Sequence, residues 1–121
     1  MHVKTLAAQE QRMLLTSRKL LQRKLLYLEC ELLRNFGLKV GAVSGGRYEA
    51  RVRELVVGFP RLAAIAEPLL NVRRVMRQQL AVLHKMLLDT VRGDPVCRRL
   101  MTALGVGAVV ALTYLATVRF G

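Results

Sequence analysis

Apolar side chains recur along this chain in two separate stretches, each with a seven-residue period. In the first, Leu14, Leu21 and Leu28 fall seven apart, with Leu25 and Leu32 on the neighbouring row. In the second, Leu69, Met76 and Leu83 repeat the spacing, with Leu80 and Leu87 beside them. Such a repeat marks a helix that presents one narrow apolar seam to a partner helix. The pattern predicts a long helix over residues 5–36 and helical structure again over 61–92. The first stretch holds no internal Gly or Pro, with Thr5 as an N-cap and Gly37 where a closing glycine would stand. In the second, Pro68 either begins a new segment or kinks the helix. Arg18 and Arg73 each interrupt the first a position of their seam. About three heptads are marginal in isolation. The ten apolar residues therefore call for a partner, either an antiparallel helical pair or a coiled coil between chains, and are the candidate dimerisation seam.

The segments between and after these helices are marked by glycine and proline. Gly37, Gly41, Gly45 and Gly46 fall within residues 37–46 and predict a turn or loop. A short helix follows over 47–57, with Tyr48, Val52, Leu55 and Val56 as its apolar side, ended by Gly58 and Pro60. Gly93 can close the second long helix. Asp94 and Pro95 then give an N-cap followed by a first-turn proline, opening a short helix over 96–102. Leu104-Gly105-Val106-Gly107 and an apolar stretch over 108–118 complete the chain. The expected fold is all-α: a helical region over 1–92 and a separate C-terminal segment over 93–121.

Charge directs attention to polyanions. Twenty Lys and Arg against eight Asp and Glu leave a net charge of +12, which favours nucleic acid first and an anionic membrane second. A solvated basic face gives the same balance. The cations gather at Arg18, Lys19, Arg23 and Lys24, at Arg73, Arg74 and Arg77, and at Arg98 and Arg99 just before the glycines. Tyr27, Tyr48 and Tyr114 are dispersed and offer little stacking surface, so backbone contact is expected rather than base readout.

Nineteen uncharged residues run from Leu100 to Val118, a minimal length for a membrane span. The same residues fit a helix-hairpin-helix. There, Gly105, Val106 and Gly107 would let the backbone approach a phosphate held by the N–H groups of the second helix. A plain buried core helix is the third reading. A small membrane protein with one C-terminal span and a basic coiled coil is accordingly the alternative function class.

Catalytic chemistry is not evident. The eight acids are scattered; Glu29 and Glu31 point in different directions on a helix, and Glu49 with Arg53 forms an i, i+4 pair. Asp94 reads as a cap. No carboxylate cluster for a metal-dependent nuclease can be assembled. Cys30 and Cys97 read as reduced, partly buried thiols, and His2 and His84 as packing or surface residues. Residues 1–12 do not form a signal peptide, so a cytoplasmic location is expected.

Several collinear blocks carry a family resemblance. Asp94-Pro-Val-Cys-Arg-Arg-Leu-Met-Thr-Ala-Leu-Gly-Val-Gly-Ala-Val-Val-Ala-Leu-Thr-Tyr-Leu-Ala-Thr-Val118 resembles the start of the C-terminal domain of transposases of the insertion-sequence family numbered one hundred and ten. His2-Val-Lys-Thr and Glu10-Gln-Arg-Met-Leu-Leu-Thr-Ser-Arg-Lys-Leu-Leu21 resemble the segment after that family's RuvC-like DEDD domain. Phe36-Gly-Leu-Lys-Val-Gly41 and Tyr48-Glu-Ala-Arg-Val-Arg-Glu-Leu55 resemble the region between. The resemblance implies DNA transposition by a protein that oligomerises through its helical region, some members being directed by a structured RNA. It also implies that the acidic quartet, with its divalent metal, lies before Met1. The nucleophilic serine would lie beyond Gly121, and neither Ser17 nor Ser44 occupies its motif. What carries over is nucleic-acid binding by Gly105, Val106 and Gly107, with Cys97, Arg98 and Arg99 before them. Two departures stand out: Leu104 replaces the family's usual proline, and Arg119-Phe120-Gly121 replaces an acidic continuation. A truncated or decayed element would explain them. The expected role is DNA or guide-RNA binding and homo-oligomerisation, with no catalytic residue, metal or cofactor in this chain and no membrane partner.

Overall fold

The computed structural model describes residues 6–37 and 47–120, with side chains through Thr117. Over these residues the chain is all-α, in the order α1 (Leu6–Arg34), α2 (Tyr48–Leu55), α3 (Pro60–Arg92), α4 (Pro95–Leu104) and α5 (Ala108–Phe120). The expected cap Thr5 and the glycines Gly41, Gly45 and Gly46 lie outside the described residues. At the end of α1, Phe36 and Gly37 donate to the carbonyls of Leu33 and Arg34, both at 2.9 Å, which tightens the last turn. Gly37 then leaves the helix at φ 71°, a conformation that glycine adopts without cost. Pro60 occupies the first position of α3, where its missing N–H costs nothing. Pro68 does not begin a new segment: α3 runs through it as one helix, with the ring on the exposed side. The missing bond to the carbonyl one turn earlier is the local cost.

The chain divides into two compact units. The first contains α1 up to Leu20, α3 from Leu80, and both C-terminal helices. Its core is Leu14, Leu87, Val91, Cys97, Ala111, Leu112 and Leu115. Here α1 and α3 run antiparallel: Leu14 clusters with Leu87 and Val91, and the Arg18 guanidinium Nε donates to His84 Nδ1 at 3.4 Å. The second unit holds the rest of α1, α2, and α3 up to Gln79. Its core is Leu32, Leu33, Tyr48, Val52, Val56, Ala66 and Leu70. The apolar side expected for the short helix is the side that packs, with Tyr48, Val52 and Val56 buried and Leu55 half-buried. The structural division does not follow the 92/93 boundary read from the sequence, because α4 and α5 bury their apolar sides against the ends of α1 and α3.

The two heptad seams face inward. Leu14, Leu25, Leu32 and Leu87 are buried, and Leu21, Leu28, Leu69, Met76, Leu80 and Leu83 are half-buried. Within each unit these residues contribute to packing between helices of the same chain, and six of the ten keep part of their apolar area exposed.

Candidate nucleic-acid interface

The chain from Asp94 to α5 builds a short helix, a tight break and a second helix. Asp94 sits in an extended conformation, and its carboxylate accepts from the backbone N–H groups of Val96 at 3.0 Å and Cys97 at 3.3 Å. That satisfies two donors that no helix can satisfy internally. Pro95 follows at the first helical position. Asp94 is thus a cap, as the sequence indicates. At the other end of α4, Gly105 adopts the left-handed conformation at φ 62° and ψ 32°, and the Val106 N–H donates to the Met101 carbonyl at 3.2 Å. Helix α5 starts two residues later, with the Ala111 N–H donating to the Gly107 carbonyl at 3.0 Å. The direction of the chain turns by 114° between α4 and α5. Leu104 ends α4, and Gly105 supplies the backbone conformation that closes the turn.

Helix α4 is sharply two-sided. Cys97 is fully buried in the core, and Leu100 and Met101 pack against the same cluster. Arg98, Arg99, Thr102 and Ala103 lie on the open side and, with Pro95, line a shallow groove. Neither arginine makes an ion pair among the described residues. At 1.5 Å rise per residue, they stand roughly 9 to 11 Å along the helix from Gly105. Cys97 belongs to the packing rather than to this surface. Cys30 is half-buried, and both thiols are free. Gly107 has open space where a Cβ would project, so nothing within the chain demands glycine there. The first N–H groups of α5 point away from the helix they begin, toward whatever approaches the turn.

The basic group on α3 is placed differently, in the second unit, and only part of it is presented. Arg73 is buried. Its Nε lies 3.2 Å from Glu29 Oε2, and its guanidinium carbon is 4.1 Å from the centroid of the Tyr48 ring. The expectation that Arg73 reaches a phosphate is corrected: a cation desolvated between a carboxylate and an aromatic face is part of the core. Arg74 is half-exposed and grips Glu49 with two bonds, from Nη2 at 3.1 Å and Nε at 3.3 Å. That bidentate hydrogen bond holds the Glu49 carboxyl below the usual carboxylate range and raises Arg74 in turn. Glu49 also meets Arg53 at 3.6 Å, the i, i+4 pair seen in the sequence, and Arg53 reaches Glu67 at 3.3 Å. Arg77 lies beside Arg74 on the rim of a depression with Gln78. Carboxylates thus offset much of the charge that this group presents in the sequence.

No protein-family model matches the chain, and no curated protein or solved structure matches it either. Among the described residues, no three His, Cys, Asp or Glu side chains are grouped so as to hold a metal ion. No single described helix is long and apolar enough to cross a membrane. The uncharged stretch from Leu100 to Val118 is divided between α4 and α5, and the two helices meet at the 114° bend rather than forming one straight span.

The sequence reading missed what joins Tyr48, Glu29 and Arg73. Tyr48 is almost fully buried, and its hydroxyl donates to the Glu29 carbonyl at 2.8 Å. Burial, followed by the nearby Glu29 carboxylate, pushes its phenol up to about 12. An arginine at a seam position was the available signal, because a charge on an inward row must find a partner.

Proposed function

We propose that this chain acts within a DNA transposase of the insertion-sequence family numbered one hundred and ten. In that role it binds DNA, or a structured guide RNA, through α4, the Gly105–Gly107 turn and the start of α5. It also self-associates, and strand chemistry is left to residues other than its own. The observation that carries this reading is the pairing of Arg98 and Arg99 on the open side of α4 with a glycine turn that opens a second helix. Two guanidiniums that make no ion pair among the described residues, with a row of backbone donors, are complementary to consecutive phosphates, and they require no particular base. A net charge of +12 supplies the long-range attraction. The cytoplasm is the compartment in which such a protein would meet its DNA.

The test is binding of the purified chain to duplex DNA and to a structured RNA across a salt series. Affinity should fall steeply as salt rises, with a log–log slope that shrinks by about one for each arginine of Arg98 and Arg99 replaced by alanine. With Mg²⁺ present, the bound DNA should remain uncut. Absence of binding at moderate salt would remove the proposal, and nicking by the chain alone would remove its non-catalytic part.

A further inference from the structure

The second unit keeps one tyrosine in its core and presents another to water. Tyr48 is buried, whereas Tyr27 on α1 is 67% exposed. Leu25 and Leu32 bury the opposite side of the same helix, so Tyr27 stands on its outer face. Arg23 and Lys24, one turn earlier, are exposed too. Residues three and four apart are neighbours on a helix, and a long side chain leans back over the preceding turn. The Tyr27 ring therefore lies beside both cations. Neither cation makes an ion pair among the described residues, and the carboxylates of this unit are committed elsewhere. Glu29 meets Arg73 at 3.2 Å, and Glu31, one turn beyond Tyr27, meets Arg34 at 2.9 Å. Glu49, Glu54 and Glu67 pair with arginines of α2 and α3. A counter-charge for Arg23 and Lys24 has to come from outside the unit.

We infer that Arg23, Lys24 and Tyr27 form a second nucleic-acid contact, separate from α4, that takes an unpaired strand. A base stacks on the Tyr27 ring, and the two cations meet the phosphates beside it. Charge and ring together select the occupant. Two unmatched cations call for a polyanion. An exposed ring adds to that attraction where the polyanion carries a flat group to lay on it. In a duplex the base faces are covered by their neighbours, so a tyrosine on a helix surface reaches them in a single strand, a loop or an end. Such stacking is tolerant of sequence, because every base has a ring face. A helix lying in a membrane surface needs a broad apolar face. What surrounds Tyr27 on α1 is charged instead: Arg23, Lys24 and the Glu31–Arg34 pair. The contact is independent of the α4 interface.

The chain has no tryptophan, so Tyr27→Trp in the full chain places a single fluorescent indole at the contact. Titration with oligothymidylate, which has no paired bases, should quench its emission to saturation. The quenching should persist when Arg98→Ala and Arg99→Ala are added, which tells failure of the α4 interface apart from failure of this contact. In that background, Tyr27→Ala should weaken oligothymidylate binding about five- to hundredfold, and Tyr27→Phe should bind nearly as the native ring does. Arg23→Ala and Lys24→Ala should each flatten the single-strand salt dependence by about 0.7 in log–log slope. With Arg98 and Arg99 in place, Tyr27→Ala should leave duplex affinity unchanged. Helix content by circular dichroism should not move, because the three side chains are exposed. No loss of single-strand affinity in Tyr27→Ala, or an equal loss for duplex, overturns the contact. Emission that shifts to the blue with phosphatidylserine vesicles and ignores oligothymidylate also overturns it, and assigns the surface to a membrane.

Discussion

The guanidinium carbon of Arg73 lies 4.1 Å above the centre of the Tyr48 ring, and one residue, Glu29, meets both: its carboxylate takes the arginine's charge and its backbone carbonyl the Tyr48 hydroxyl. Three helices are joined by these three residues, Glu29 from α1, Tyr48 from α2 and Arg73 from α3. The arrangement reassigns an arginine that its sequence neighbours present as part of a basic patch. Arg73→Ala should therefore act on stability. Removing one partner of a buried pair leaves the other uncompensated, and Glu29 keeps partial access to water, so a loss of roughly 2 to 3 kcal/mol is expected. Chemical denaturation checks it. At salt and temperature where the variant remains folded, its affinity for DNA should match wild type, whereas a phosphate-binding arginine would lower it.

Tyr48 should register in the alkaline limb of stability. Its folded value of about 12 stands above its unfolded value of 10.0. The folded state therefore holds the phenolic proton more tightly. The associated stability, about 2 to 3 kcal/mol at 1.4 kcal/mol per pH unit, is complete below pH 10 and is lost as pH rises from 10 to 12. Tyr48→Phe should lower stability near neutrality by about 1 kcal/mol, since the Glu29 carbonyl loses its donor. It should also flatten the decline between pH 10 and 12. Denaturation midpoints measured at several pH values would separate the two effects, and an unchanged alkaline slope in the variant would contradict this account.

The elements were legible in the sequence because local chemistry sets them. Gly37, Gly93 and the Asp94-Pro95 pair mark helix ends with groups that only those positions need, and the observed boundaries fall beside them. The inward rows of α1 and α3 were legible too. What the seven-residue period does not encode is which helix fills the seam, since a partner from the same chain and one from another chain demand the same spacing. At the candidate interface, Arg98 and Arg99 are exposed, whereas Arg73 is buried over the Tyr48 ring and Arg73 and Arg74 are paired with carboxylates distant in sequence. Glu29 is 44 residues from Arg73 and Glu49 is 25 from Arg74, so the seam position of Arg73 signals that a partner is needed but not which carboxylate supplies it.

Asp94 offers a prediction for the same segment. Its carboxylate holds two N–H groups at the start of α4, so Asp94→Ala should cost about 1 kcal/mol and Asp94→Asn much less, because the amide oxygen can accept as the carboxylate does. Thermal melts of the two variants measure the difference. Equal losses would mean that charge rather than capping is what the chain uses there.

Gly105 and Gly107 should separate folding from binding. Gly105 sits at φ 62°, where a side chain costs about 1 kcal/mol, although its Cβ would meet open space. Gly105→Ala should therefore lower the melting temperature and weaken nucleic-acid binding together, the second through the first. Gly107 has no positive φ, and a methyl group added there would meet nothing within 4 Å, so Gly107→Ala should leave stability within about 0.5 kcal/mol of wild type. If a phosphate approaches the start of α5, the added methyl intrudes between it and the backbone donors, and affinity should fall with stability intact. Melting curves and DNA titrations of the same two proteins make the comparison. Gly107→Ala that binds as well as wild type would show that the turn closes α4 onto α5 and does nothing for the ligand, leaving Arg98 and Arg99 as the whole of the interface.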